Sequence, residues 1–580
     1  MFSNLLNNAQ RRHHDPAVAG EGSAFCLSSM SNSRCLSLRR LLSMTPRGGP
    51  LLQQPVRRLL GVFLMLTLVA VLFLNCGSSS SPTPGSGTVF TFIGDLPSCD
   101  ILSFHVLITD VVLTPVTGPG MGHGLPVNST PTFNFAGWRD ANTVLGTNTM
   151  IAEAYNQGQL VMSTPTLVIY DPTQNPPIRT VPATLPGTAP TFAVNPPLMV
   201  TQGQVAGLGI EFNMLSSIQF QVSSTGTLTA AITPTLAFAA LTASPNQGFG
   251  DTSARGFVQS VTTSTTSLSA NGTPFTGGFT MQLLSPSLAP AAGAPASGPA
   301  VAINLIAATQ LCGPMTGPQP TCPTLPLNTL LTGSFGNADG YVDSKGNWVA
   351  TAAELEDQED VAQQKAGFLG PILSVTTDSN GNATQFTLFV REEQPDVQFG
   401  APNVPLDSVV TVNTVPAPVP TPPAPFTVYG DAGRVGHPGG LQFGPTSLTV
   451  GQEVAVHGVF TAPLSGSGSS VLTTIAADSI YLQSQAYQGS FTSLLQVGSD
   501  DKSGAFVFVP CGTMFQRAPV MVFTDSQTNF VNVAGLSSLV PQSTLILKGL
   551  LFFDRQGRNI NGVTVPPGTL VLLAAQVRPS

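Results

Sequence analysis

The chain has 580 residues, 42% of them apolar and only 9% charged, against roughly 25% charged in an average domain. Its net charge is −8 and it holds four lysines, which excludes the clustered basic residues that nucleic-acid binding requires. With 58 Gly and 51 Pro, it stays below the roughly 25–30% Gly+Pro that marks disordered chains.

Residues 1–58 read as a doubtful leader and a signal n-region. Arg11, Arg12, Arg34, Arg39 and Arg40 are scattered there without a periodic apolar pattern, and Met44 opens a better charged leader, MTPRGGPLLQQPVRR. Translation is therefore expected to start at Met44. Residues 59–76, LLGVFLMLTLVAVLFLNC, form an export signal: Arg57 and Arg58, an uncharged apolar run from Leu59 to Leu74, then Cys76. Cys76 is the expected lipidation site, although Phe73 and Asn75 replace the usual Leu and small residue of a lipoprotein box. Two alternatives stay open: an uncleaved single-span anchor, with the arginines on the cytoplasmic side, and plain cleavage with release. The apolar run would span about 24 Å as a helix, slightly less than the ~30 Å hydrocarbon core. All three place the body outside the cytoplasm, in the cell envelope facing the periplasm or exterior.

Residues 77–87 make a polar tether without a large side chain. Residues 1–75 hold eight Arg against Asp15 and Glu21, so the exported remainder has 13 Lys+Arg, 27 Asp+Glu and a charge of −14. Its length fits three to five domains at about 100–200 residues each. Abundant Val, Thr and Phe with frequent Gly and Pro favour strands over helices, so the expected class is all-β.

The first folded segment, residues 88–245, opens with the alternating run TVFTFIGD (88–95), a turn LPSCD, and ILSFHVLITDVVLTPV (101–116). Leu102, Phe104, Val106, Ile108 and Val111 are the expected inward positions. Further strand runs are 160–162, 167–170, 198–200, 205–212, 218–222 and 228–232. Short strands at this spacing predict a β-sandwich.

Residues 254–580 show a tandem repeat with units at 254–357, 366–483 and 487–580. The units begin RGFVQSVTT (255–263), GFLGPILSVTTD (367–378) and QGSFTSLLQVGSDD (488–501). Second strands follow as FTMQL (279–283), QFTLFV (385–390) and AFVFVP (505–510), and then glycine-bearing strands LLTGSF (330–335), VAVHGVF (454–460) and LILKGLLF (545–552). Each unit closes on an alanine with an apolar residue three further on: Ala352/Leu355, Ala477/Ile480 and Ala574/Val577. Gly333 to Ala352 and Gly458 to Ala477 are both nineteen residues. Each unit is expected to be a small antiparallel barrel or sandwich of five or six strands. The Pro/Ala-rich insertions 288–300 and 415–425 are expected to be extended loops.

GTVFTFIGDLPSCDILSFHVLITDVVLTP (87–115) and PPLMVTQGQVAGLGIEFNM (196–214) resemble a family of uncharacterised Ig-like domains common in bacterial surface lipoproteins. The first stretch resembles the family's opening strand pair, and the second its late hairpin. Through GQEVAVHGVF and IAADSIYL the last units resemble small barrel-like modules of unknown function in bacterial secreted proteins. These resemblances imply an N-terminal Ig-like sandwich and an envelope location; they imply no activity and no catalytic residues.

The residues themselves offer little chemistry. No GxSxG elbow, HExxH helix or phosphate-cradling loop occurs, so no catalytic residue and no cofactor is expected. His105 and His457 sit in apolar runs and read as structural. Cys99, Cys312, Cys322 and Cys511 allow three pairings. Cys312 and Cys322, flanking CGPMTGPQPTC, are the favoured disulfide, while the pairing of Cys99 and Cys511 stays open. No metal site is expected; the nearest to one are Asp339, Asp343 and Asp378 as calcium ligands. DSNGN (378–382) spaces its side chains like an EF-hand, but Phe389 stands where a bidentate Glu belongs. Asn380-Gly381 instead signals a hairpin turn, and NADGYVD (337–343) reads as a turn between strands. The acidic run 353–365 reads as a solvated connector and the one candidate helix. Trp348 is expected in a core, with an exposed sugar platform as its alternative. The partners expected are the membrane, through the anchor, and a surface glycan or protein; nucleic acid is not. The function expected is a non-enzymatic structural, adhesive or binding protein, with a carbohydrate-binding or carbohydrate-processing protein as the alternative.

Overall fold

The computed structural model describes residues 85–95, 99–116, 123–126, 132–136, 142–224, 226–245, 248–283, 300–312, 326–330, 332–355, 366–394, 406–415, 426–428, 440–460 and 473–579. The signal, Cys76, Cys322, Trp138 and most of both Pro/Ala-rich insertions lie outside the described residues. The body is all-β: a sandwich followed by three small barrels.

The sandwich strands are β1 (Ser86–Asp95), β2 (Ile101–Pro115), β3 (His123–Pro126), β4 (Thr132–Asn134), β5 (Asn142–Ile151), β6 (Ala154–Tyr170), β7 (Ile178–Thr184), β8 (Phe192–Met199), β9 (Val205–Phe212), β10 (Ile218–Val222), β11 (Leu228–Ile232) and β12 (Leu236–Leu241). One sheet runs β5-β1-β9-β12, with β1 parallel to β9. The other runs β2-β6-β7-β11-β10, with β3 and β4 on the outer edge of β2. β8 joins the two by pairing with both β12 and β6. The five inward positions expected on β2 are all at most 1% exposed. The runs 160–162 and 167–170, expected as separate strands, belong to the single strand β6. Thr164, with φ +47°, absorbs the interruption, and the register with β2 shifts there between His105 and Leu107, as a bulge does.

The first barrel comprises β13 (Asp251–Thr262), β14 (Phe275–Leu283), β15 (Ala300–Cys312), β16 (Phe335–Val342) and β17 (Trp348–Leu355). The second comprises β18 (Ala366–Thr377), β19 (Ala383–Phe389), β20 (Glu392–Gln394), β21 (Val409–Asn413), β22 (Phe426–Val428), β23 (Glu453–Phe460) and β24 (Thr473–Leu482). The third comprises β25 (Gln485–Val497), β26 (Gly504–Pro510), β27 (Val520–Thr524), β28 (Asn529–Phe530), β29 (Thr544–Asp554), β30 (Arg558–Ile560), β31 (Val563–Val565) and β32 (Thr569–Pro579).

One pairing scheme closes all three. The first strand pairs with the second, the second with the third, the third runs parallel to the fifth, the fifth pairs with the fourth, and the fourth returns to the first. The same circuit holds in the second barrel and in the third. It is the five-stranded Greek-key circuit of the oligonucleotide/oligosaccharide-binding barrel.

The repeated glycines have a geometric cause. Each first strand serves two neighbours: its leading half pairs with the fourth strand and its trailing half with the second. At the changeover stand Gly256, Gly370 and Gly489, where a Cβ would fall on the carbonyl oxygens of Gln282, Phe389 and Val509 respectively. A second glycine, in each fourth strand, stands beside a bulge in the fifth, where Thr351, Asp478 and Ala575 are the extra residues. There Gly340 faces Ala350, Gly458 faces Ala477 and Gly549 faces Ala574.

Several expectations are corrected here. LLTGSF (330–335) is not the fourth strand of the first unit. A turn at residues 332–333 follows the 3-10 segment Leu327–Thr329, and β16 begins only at Phe335. Gly333 therefore has no part in the Gly–Ala pairing, and its nineteen-residue spacing to Ala352 is coincidental. Residues 337–342 are not a turn but lie within β16. Ala353–Leu355, expected to begin a helix, continue β17 opposite Gly336–Ala338; residues 356–365 lie outside the described residues. The helix among the described residues is one turn, Met214–Ser217.

The cores are shared across modules. Leu373, Phe389 and Val409 of the second barrel and Met514 of the third join the sandwich core. Ala505, Phe523, Leu550, Phe552, Val571 and Leu573 of the third barrel join the core of the second, while Leu545, Leu547, Leu551 and Leu572 fill the third barrel itself. β29 is thus buried on both faces, which is why LILKGLLFF reads as a nearly continuous apolar run.

Candidate functional site

The densest polar constellation lies at the start of β2, where the sandwich meets the second and third barrels. Ile101 through Val106 are all buried; β4 and β6 pair much of their backbone, and neighbouring modules partner several of the remaining polar groups. Cys99 is disulfide-bonded to Cys511, 412 residues away, with a Cα–Cα distance of 5.2 Å. Asp100, held at φ +58°, accepts from the Thr513 backbone N–H at 2.7 Å, the Thr513 hydroxyl at 3.0 Å and the Met514 N–H at 3.0 Å. Burial raises the Asp100 carboxyl above its ordinary range, against the opposing pull of those hydrogen bonds and of Arg517.

Two residues further on, the Leu102 carbonyl accepts from Arg391 Nε at 3.1 Å. Arg391 Nη1 meets both oxygens of Glu453, at 2.7 and 2.8 Å, and both side chains are 1% exposed. Gln485 orders this pair from the third barrel: its carbonyl accepts from the Glu453 N–H, and its amide donates to Gly451 O at 2.8 Å. Next to it Gln452 donates to Ser447 O and to Leu551 O, tying the second barrel to β29. Burial, then the nearby Glu453 carboxylate, lifts the Tyr487 hydroxyl well above its ordinary range. His105 Nε2 lies 3.0 Å from Asp407 Oδ1, a second link between sandwich and second barrel. Arg578 Nη1, near the end of the third barrel, reaches Glu211 on β9 at 3.0 Å.

A His–Asp pair invites comparison with catalytic dyads, which need an exposed nucleophile within hydrogen-bond reach of the imidazole. Ser103, two residues away, is 0% exposed, and its hydroxyl makes no hydrogen bond. The His105–Asp407 contact fastens the sandwich to the second barrel. Sequence reasoning missed Arg391, Glu453, Gln452, Gln485 and Asp100. Their only local signal is a charge or amide inside an otherwise apolar run, as in FTLFVRE and GQEVAVHG.

The residues singled out from the sequence disperse. Asp343 and Asp378 hold hairpin turns of identical design. Asp343 Oδ1 accepts from the N–H groups of Lys345 and Asn347, both at 2.9 Å, and Oδ2 from the Asn347 amide at 3.0 Å. Asp378 treats Asn380 and Asn382 in the same way, at 2.9, 2.8 and 3.1 Å. Gly346 and Gly381 supply the positive φ in the two turns. These hydrogen bonds hold Asp378 below the ordinary carboxylate range. Asp339 stands in mid-strand on β16, opposite Ala352, away from the turn that carries Asp343. No group of three or more His, Cys, Asp or Glu able to hold a metal occurs among the described residues. Cys312 ends β15. His457 lies in β23 with its ring 5.3 Å from that of Tyr481. Trp348 is 2% exposed in the first barrel's core, which removes the platform alternative.

No protein-family model matches the sequence, and the search of curated proteins returns no match. Among solved structures, a deletion mutant of the single-stranded DNA binding protein from Thermus aquaticus is similar over 37% of this chain and 93% of its own, at 13% identity and a TM-score of 0.12. At that score the match carries no functional argument, and the barrel assignment rests on strand pairing alone.

Proposed function

We propose that the protein is an exported, envelope-anchored lipoprotein without enzymatic activity, whose sandwich and barrels form one braced body acting as a surface structural or binding protein. The observation that carries this reading is the Cys99–Cys511 bond. Such a bond persists in an oxidising compartment and is rare in the cytosol, in keeping with the arginine-led apolar segment before Cys76. The shared cores and the buried Arg391–Glu453 pair favour a brace over a string of independent beads. Fractionation with fatty-acid labelling tests the anchor. Wild type is expected to carry label in the membrane fraction, and Cys76→Ala to lose both label and anchorage. An unlabelled wild-type chain found reduced in the cytosol would overturn the proposal.

The barrel circuit favours a second reading, glycan binding, because barrels of this class take oligosaccharides as well as oligonucleotides. The trailing half of β25 exposes Leu494, Leu495 and Val497 near the hairpin to β26. A charge of −14 argues against the oligonucleotide option. A glycan panel separates the readings: saturable binding abolished by Leu495→Asp supports the second.

A further inference from the structure

The strand β10, Ile218-Gln219-Phe220-Gln221-Val222, reads almost the same in both directions. A β-branched residue stands at each end, a glutamine inside each, and a phenylalanine at the centre. It is the outermost strand of its sheet: β11 pairs along one side, and among the described residues no strand pairs along the other.

The flanking hydrogen bonds set which groups face outward. Thr233 N–H donates to Ser217 O at 2.7 Å and Ser223 N–H to Thr227 O at 2.9 Å. By antiparallel alternation, residues 217, 219, 221 and 223 address β11, while 218, 220 and 222 address the open side. The Ile218 N–H is already committed to Met214 O. That leaves the N–H and C=O groups of Phe220 and Val222, and the Ile218 C=O, directed outward. Phe220 is 45% exposed and Val222 61%. The strand has no Lys, Pro or bulge, the devices that normally blunt a sheet edge.

We propose that β10 is a homodimer interface, pairing antiparallel with β10 of a second copy of this chain about a two-fold axis through Phe220. In that register Phe220 faces Phe220 of the second copy, Gln219 faces Gln221, and Ile218 faces Val222. Each chain's Phe220 N–H donates to the other's Phe220 carbonyl, and each Val222 N–H to the other's Ile218 carbonyl. The committed Ile218 N–H is the one donor this register leaves unused. A strand that is its own complement suits an isologous contact, with an aromatic pair at its centre.

Charge also selects a second copy as the occupant. Two bodies of −14 repel unless they meet where neither is charged. Between Glu211 and Asp251 the chain carries no Asp, Glu, Lys or Arg, and β10 lies inside that stretch.

The test is disulfide trapping of the full chain in the intact envelope, with the same variants purified in detergent for light scattering. Paired residues of this kind sit about 5.5 Å apart at Cα, within disulfide range. Phe220→Cys is therefore expected to give a reducible dimer of the chain. Val222→Cys is not, because its twin lies four residues away along the pairing, about 13 Å at ~3.3 Å per residue. Gln219→Cys mixed with Gln221→Cys should cross-link in the mixture and far less in either alone. Phe220→Pro removes an outward N–H and spares the β11 ladder. It should halve the protein mass in light scattering with the unfolding midpoint unchanged. Monomeric wild type, equal trapping at 220 and 222, or a trapped product containing a different protein would each overturn the proposal. The two glutamine variants keep the test decisive if a change at Phe220 perturbs folding.

Discussion

Removing Glu453 tests the junction most directly. In Glu453→Leu, Arg391 stays 1% exposed with the carboxylate it pairs with gone, and breaking a buried pair from one side costs about 3–5 kcal/mol. Arg391→Met strands the carboxylate and should cost about the same. It also orphans the Leu102 carbonyl that Arg391 Nε serves at 3.1 Å, a loss of about 1–3 kcal/mol. In the double variant Arg391→Met/Glu453→Leu no buried charge remains, so only that last loss should persist, about 1–3 kcal/mol. The assay is urea unfolding of wild type, both single variants and the double, followed by circular dichroism. Because the sandwich and second-barrel cores take residues from their neighbours, the lost stability should appear as a lower midpoint of a shared transition. The reasoning fails if either single variant loses less than about 1 kcal/mol, or if the two losses add up to that of the double.

Three further outcomes follow from the geometry. Cys99→Ser/Cys511→Ser opens a link between residues 412 apart; loop-closure entropy sets a ceiling of about 6 kcal/mol, read as the gap between oxidised and reduced urea midpoints, and the mutant should match the reduced protein. Gly370→Ala and Gly489→Ala place a Cβ on a neighbouring carbonyl and should each lose at least about 1–3 kcal/mol. Gly187→Ala, which meets nothing within 4 Å, should stay within about 0.5 kcal/mol of wild type. At Asp171, burial pushes the carboxyl up, but the Thr173 hydroxyl and N–H, with Arg179, outweigh it and hold the group below its ordinary value. A depressed folded pKa contributes stability above the unfolded value and loses it as pH falls through the folded one. Asp171→Asn should therefore destabilise the protein at pH 6, and the deficit should shrink in thermal scans as pH falls from the ordinary carboxylate range through the depressed folded value. A deficit constant from pH 6 to pH 2 would contradict the assignment.

The strand pattern was legible because its signal is local. Leu102, Phe104, Val106 and Ile108 alternate with a period of two, and all are buried. Asn380-Gly381 marked its hairpin through backbone preference alone. Pattern failed where the same letters serve two geometries. NADGYVD has the composition of a turn, yet residues 337–342 are held in β16 by ladders to both β13 and β17. AELED has the composition of a helix, yet its first three residues finish the fifth strand of a barrel. Spacing favoured Gly333, nineteen residues from Ala352 as Gly458 is from Ala477, and only the pairing of Gly340 with Ala350 overrules it.

Local chemistry alone thus determined the all-β class, the inward positions of β2 and the threefold recurrence, since alternation is set by each strand's immediate neighbours. Tertiary structure alone decided that Cys99 pairs with Cys511, that Arg391 meets Glu453 across 62 residues, and that the sandwich shares its core with two barrels. Those outcomes depend on which surfaces exclude water together. A lone Arg in FTLFVRE looks solvent-bound until the chain closes over it, and burial then makes its partners obligatory.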